Sequence, residues 1–145
     1  MRLERLAYVS RSTDPEDQLL AFSDILAQSV RNNRAVEVTG ALSFTPGRYA
    51  QILEGEGHAL DTLLRRISVD PRHCDMRVLD RGPIEERLFP DWSMIVPEFS
   101  PEGRTRLEDM VAHDEVSTAQ LVDLFLEMLQ PRRGKRDPLA GSGLA

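Results

Sequence analysis

Residues 36–54 alternate, turn, and alternate again. Val36, Val38, Gly40, Leu42 and Phe44 interleave with Glu37, Thr39, Ala41 and Ser43, the period of a strand with one buried face. Thr45-Pro46-Gly47-Arg48 is a turn. Tyr49-Ala50-Gln51-Ile52-Leu53-Glu54 then returns as the second arm of a hairpin, with Gln51 on the face of Tyr49 and Leu53. A helical run flanks this hairpin on each side, and a strand lies beyond each helix. Leu6, Tyr8 and Ser10 share one face of the first strand, and Ala7 and Val9 the other. Both faces are largely apolar, as in an interior strand.

The first helix is expected to open at Thr13-Asp14-Pro15-Glu16, with Pro15 at its first position and a capping box between Thr13 and Glu16. Leu19, Phe22, Leu26, Ser29 and Val30 recur at helical spacing, and the helix should end near Asn32-Asn33. Gly55 and Gly57 break the hairpin's second strand. A second helix then carries Leu60, Leu63, Leu64 and Ile67, closed by Asp70-Pro71-Arg72-His73 because Pro71 disfavours helix at Asp70. Residues 76–79 read as a fourth strand and 92–96 as a fifth.

The order β-α-β-β-α-β is the split βαβ of ferredoxin-like folds. The expected class is α+β: a mixed five-stranded sheet with two helices on one face. The opposite face needs a cover, or a large apolar patch would meet water. Ser100-Pro101-Glu102 looks like a further helix start, with Leu107, Met110 and Val111 behind it. Leu121, Leu124, Phe125, Met128 and Leu129 form a second amphipathic stripe, which Pro131 stops. The expected organisation is therefore a domain over 1–98, a helical cap over 99–130, and a disordered tail over 131–145, rich in Arg, Gly and Pro.

A net charge of −6 argues against a nucleic-acid surface, which needs clustered cations. The one basic cluster, Arg132, Arg133, Lys135 and Arg136, reads as a solvated tail. Cys74 is the single cysteine, so no internal disulfide forms, in keeping with a reducing cytoplasm. No apolar run approaches the ~18 residues of a membrane span, and the first ten residues have no signal-peptide core. The expectation is a cytoplasmic protein without nucleic-acid or membrane partners.

Several polar residues fall where a core is expected: Tyr8 and Gln51 mid-strand, Asn32-Asn33 at the end of the first helix, and Asp70, Arg72 and His73 at the end of the second. An unpaired buried amide costs about 1–3 kcal/mol, so a chain keeps one where a partner exists. A ferredoxin-like sheet sets its first and third strands side by side, which makes Tyr8 and Gln51 candidate neighbours. Asn33 and Arg72-His73 would flank the same space, a set suited to a flat heterocycle with carbonyl and N–H edges. Each residue also has a plainer reading. A strand Tyr can be core, Asn-Asn a helix cap, Asp-Pro-Arg-His a solvated turn, and a hairpin Gln exposed. Composition alone does not select a flavin.

Six motifs taken together resemble the BLUF domains, blue-light sensors that use FAD. They are Leu6-Ala7-Tyr8-Val9-Ser10, Arg31-Asn32-Asn33, Val38-Thr39-Gly40, Gln51-Ile52-Leu53-Glu54-Gly55, Ile67-Ser68-Val69-Asp70-Pro71-Arg72-His73, and Arg87-Leu88-Phe89-Pro90-Asp91-Trp92-Ser93-Met94. Their order agrees over roughly residues 3–97, and the C-terminal region resembles the helical cap of short, single-domain members. The resemblance implies FAD held non-covalently between the two helices. Tyr8 would donate an electron and a proton, and Gln51 would bridge Tyr8 and the flavin. Asn33, with Asn32 beside it, would bind the ring carbonyls. Arg72 and His73 would contact the other polar edge, supported by Asp70, with Ser29 on the first helix also in the cofactor set. Met94 or Trp92, on the last strand, would sit near Gln51 and relay the change.

Glu37 departs from the small residue usual before Val-Thr-Gly, which matters if that site needs positive φ. Ser12–Glu16 is slightly longer than in some relatives. The output is expected to leave through protein contacts, to a downstream signalling partner and within a homo-oligomer. The competing readings are a flavin redox enzyme, an acylphosphatase-like hydrolase, and a pigment-free interaction module. The first lacks a GxGxxG motif, the second an early phosphate loop with Arg, and the third differs only by the pigment.

Overall fold

The structure, a computed structural model, describes residues 2–91, 93–113 and 115–129. The expected tail over 131–145, with its basic cluster, lies outside the described residues. Strand β1 spans Leu3–Ser12, helix α1 Gln18–Ala35, and β2 Thr39–Thr45. Strand β3 spans Arg48–Glu56, α2 Gly57–Ser68, and β4 His73–Ile84. Helices α3 (Pro101–Ala112) and α4 (Thr118–Leu129) complete the described chain.

The sheet has four strands in the order β2-β3-β1-β4, each neighbouring pair antiparallel. The expected mixed, five-stranded sheet is corrected here. Of the expected strand 92–96, Trp92 lies outside the described residues, and 93–96 contribute one parallel bridge, Ala41 to Ile95, rather than a strand. Ile95 N–H donates to Gly40 O (3.1 Å), and Leu42 N–H donates to Ile95 O (2.8 Å). Pro90 and Pro97 bracket the segment, and a proline brings no N–H to extend a ladder. On its other side, Gly40 approaches β3 closely. A Cβ built there would lie 1.9 Å from the Ile52 carbonyl oxygen.

The first helix also differs at both ends. Pro15–Asp17 forms a 3₁₀ turn, and no side chain caps it. Thr13 instead donates its hydroxyl to Pro71 O (2.7 Å), tying the slightly long Ser12–Glu16 segment to the turn after α2. Leu19 is 70 % exposed, and the buried residue of the first turn is Gln18. The Gln18 amide donates to Thr45 O (3.1 Å) and Arg48 O (2.9 Å) and accepts from Gly47 N–H (2.8 Å). It thereby clamps the β2–β3 turn, where Gly47 (φ 79°) follows Pro46 as a type II turn requires. At the far end α1 runs on to Ala35, and Glu37 takes φ 57°. Val38 N–H donates to Asn33 O (2.9 Å) across this left-handed step, a helix C-terminus usually built with Gly. Glu37 therefore does occupy the costly conformation its position suggested, and the step delays β2 to Thr39.

The two sheet faces bury separate cores. Leu6, Tyr8, Leu42, Tyr49 and Leu53 pack with Phe22, Leu60 and Leu63 under α1 and α2. Ala7, Val9, Ala50 and Ile52 pack with Leu107, Val111, Leu121 and Phe125, so α3 and α4 cover the second face. Ser100 caps α3 by accepting from Gly103 N–H (3.0 Å).

One buried carboxylate ties the sheet to the segment after β4. Glu54 is fully buried and accepts from Leu88 N–H (2.9 Å) and Phe89 N–H (2.9 Å). Arg5 Nε donates to it as well, at 2.8 Å.

Candidate functional site

Tyr8 and Gln51 are direct partners across β1 and β3. Antiparallel register sends facing side chains to the same side of the sheet, here toward α1 and α2. The Tyr8 hydroxyl donates to Gln51 Oε1 at 2.5 Å, and Gln51 Nε2 donates to Met94 Sδ at 3.4 Å. Tyr8 and Gln51 are almost completely buried, and Met94 is buried as well. Burial above all, then the Asp70 carboxylate and the Tyr49 phenol, pushes the Tyr8 phenol well above the ordinary tyrosine value. Tyr8 is thus neutral at physiological pH. Met94 supplies the sulfur beside Gln51, and Trp92 lies outside the described residues.

A cleft between α1 and α2 opens onto this pair. Its free volume is about 50 Å³, a narrow slot between the two helices. Asn32, Asn33 and Ser29 line it from α1, and Asp70, Arg72 and His73 from the end of α2 and the start of β4. Every expected cofactor-binding residue is therefore at one cleft. Asn33 is buried, and its Nδ2 donates to Ser93 O (2.9 Å), fixing the segment that carries Met94.

His73 spends both ring nitrogens on the protein. Nε2 faces Ile67 O at 2.6 Å, so it carries the proton, and Nδ1 faces the Ser10 hydroxyl at 2.8 Å. Arg72 makes a forked ion pair with Asp70, its Nε donating to Oδ1 at 2.9 Å, and its Nη2 reaches across the cleft to Gln28 Oε1 at 2.5 Å. Those bonds from Arg72, offset in part by desolvation, hold the Asp70 carboxyl below its usual value. A lowered folded value adds stability above the unfolded value of 3.8 and loses it as pH falls through the folded one. The pair is partly buried, its side chains 27 % and 19 % exposed, so Asp70→Asn should lower stability at neutral pH by about 1 kcal/mol. It should also flatten the decline below about pH 4 in acid unfolding; an unchanged acid limb would refute this role.

Gln28 and Arg66 also line the cleft and were not among the expected residues. A signal for them exists. Ile25, Gln28, Ser29, Asn32 and Asn33 lie at i, i+3, i+4, i+7 and i+8, and Leu63, Arg66, Ile67 and Asp70 repeat the spacing. Each helix thus turns one mixed stripe to the cleft. Tyr49 lines it too, and its buried hydroxyl has no hydrogen-bond partner. A buried phenol, amides and a guanidinium around a narrow apolar slot fit a flat ring with carbonyl and N–H edges.

A family profile described as BLUF, sensors of blue-light using FAD, matches residues 3–95. A photoactivated adenylate cyclase subunit beta of Euglena longa is 39 % identical over 95 residues, covering 63 % of this chain and 11 % of the relative. The chain thus spans about a tenth of the length of that curated relative. The solved dark-state structure of BlrB, a BLUF protein, superposes with a TM-score of 0.65 at 33 % identity, covering 88 % of this chain and 95 % of the other. The photo-activated state of BlsA gives 0.76 at 26 % identity, covering 90 % and 96 %.

Proposed function

For a chain that belongs to the BLUF family, the sensors of blue light using FAD, we propose that the cleft between α1 and α2 holds FAD and that Tyr8 and Gln51 are its photoactive pair. The observation that carries this reading is the chain of contacts from the Tyr8 hydroxyl to Gln51 Oε1 and from Gln51 Nε2 to Met94 Sδ. Asn33, Asn32 and Ser29 would hold the ring from α1. Arg72, oriented by Asp70, would hold it from the opposite wall, and His73 offers a ring face because its nitrogens are engaged. Arg66 and Arg72 bring guanidinium groups to the cleft, the chemistry that suits a pyrophosphate. FAD rather than FMN also follows the family's description.

A bound flavin supplies blue-light absorption and an electron-accepting excited state. Tyr8 is the group placed to lose the electron. A neutral phenol in so buried a place keeps its proton until the electron leaves, and the 2.5 Å bond directs that proton to Gln51 Oε1. Gln51 would relay a proton toward the ring that took the electron; when electron and proton return to Tyr8, Gln51 is left rotated or tautomerised, its Nε2 turned away from Met94 Sδ. Ser93, bonded to Asn33, and Ile95, bridged to β2, flank Met94, so a change at Gln51 reaches the segment leading to α3. This is a local hydrogen-bond switch biasing a packed element. The signal leaves by protein contact to an effector partner and within a homo-oligomer, in the cytoplasm. Relatives named as adenylate cyclases support an effector at the receiving end.

The test is the visible spectrum of the purified protein before and after blue light, with the released pigment identified by chromatography. A flavin band that shifts to the red and recovers in darkness, with FAD released, is the expected result. A colourless protein that refuses FAD would leave an interaction module, and a band that bleaches without recovery would favour flavin redox chemistry.

A further inference from the structure

Two phenols face the cleft, and only one of them is spoken for. Tyr8 is committed to Gln51. Tyr49 sits on the same face of β3, two residues before Gln51, opposite Ser10 of β1 and Phe44 of β2. It is 2 % exposed, and its hydroxyl is the only buried side-chain polar atom among the described residues without a hydrogen-bond partner. The Ser12 hydroxyl nearby accepts from Asp14 N–H at 3.1 Å and does not reach Tyr49 in bonding geometry. The His73 ring stands edge-on to Tyr49 at 6.4 Å between centroids, and both His73 nitrogens are already taken. Ser12 bears weakly on this phenol, and no acceptor among the described residues meets the donor in bonding geometry.

A buried hydroxyl left unpaired costs about 1–3 kcal/mol, and phenylalanine would fill the same apolar space without that cost. The side chain differs from phenylalanine only by one O–H, and that O–H is useful only to something inside the cleft. We propose that Tyr49 is a second ligand-binding phenol, donating a hydrogen bond to an acceptor atom of the bound flavin and so contributing to its retention. The inference rests on the flavin reading above. It assigns to Tyr49 a binding role separate from the electron and proton donation of Tyr8, because Tyr49 has no partner such as Gln51 to receive its proton.

Tyr49→Phe in the full chain tests this by equilibrium dialysis of the FAD-loaded protein and by thermal unfolding at limiting and saturating FAD. One hydrogen bond lost from the complex should weaken FAD binding about two- to tenfold. The midpoint at limiting FAD should hold or rise, because an unpaired hydroxyl is gone, while the gain on adding FAD should shrink. Unchanged affinity would overturn the proposal, and unchanged affinity with a lower midpoint throughout would show that the hydroxyl serves the fold through water. Failure of the unsubstituted protein to take up FAD would overturn the flavin reading itself. Normal uptake with an unaltered variant would overturn Tyr49 alone.

Discussion

Tyr8→Phe is expected to keep its flavin and lose the light-induced red shift completely. The ring of Tyr8 packs in the core with Leu6, Phe22 and Leu53, and phenylalanine preserves that volume, so the cleft keeps its shape. What disappears is the donor to Gln51 Oε1 and the electron source whose proton that oxygen receives. Gln51 is 1 % exposed, and its abandoned carbonyl should cost about 1–2 kcal/mol in urea unfolding. FAD content per chain, unfolding midpoint and the difference spectrum after blue light separate the two effects. A variant that binds FAD, unfolds slightly earlier and shows no shift supports the donor role. A variant with a normal shift and recovery rules Tyr8 out as the donor, whatever its stability.

The Tyr8–Gln51 pair was legible because strand periodicity and topology are both local rules. A period of two fixes which face each residue takes, and the β-α-β-β-α-β order sets β1 beside β3. Those rules put the two residues, 43 positions apart, on one face of neighbouring strands, and the β1–β3 register that sets them directly opposite is seen only in the structure. The cap was legible for the same reason, since Leu121, Leu124 and Phe125 can be buried only against a face the first two helices leave open. The fifth strand was misread because Ser93-Met94-Ile95-Val96 has strand composition, while its pairing depends on how far the chain can run beside β2 between two prolines. Leu19 was misread because helical spacing cannot show that Gln18 has three backbone partners in a distant turn. Tyr49 escaped notice since a lone hydroxyl is defined by what surrounds it, and no pattern in the chain displays that. Glu54 escaped for a related reason. A glutamate at a strand's end looks solvated until the 88–89 backbone is seen folded over it.

Glu54→Leu should be the most destabilising change made outside the cleft, by about 3–5 kcal/mol, because it breaks a buried charge pair on one side only. Leucine fills much of the volume but accepts nothing. The Leu88 and Phe89 N–H groups and the Arg5 guanidinium would all lose their acceptor, and the Phe89 side chain is fully buried, leaving water little access to repair the loss. Glu54→Gln separates charge from shape. Its amide oxygen can still accept from one or two of these donors, so roughly half the loss is expected, near the lower end of what a single charged hydrogen bond contributes, about 1.5–3 kcal/mol. The consequence should reach the cleft, because the segment Glu54 pins continues into Met94, whose sulfur meets Gln51. Both variants should therefore retain Tyr8 chemistry yet recover from illumination at altered rates, with Leu the more affected. Urea unfolding ranks the stabilities, and dark recovery after a blue pulse ranks the kinetics. If Glu54→Leu proves as stable as the parent, the buried carboxylate is not the anchor of this segment. If stability falls while recovery stays unchanged, the anchor holds the fold without setting the position of Met94.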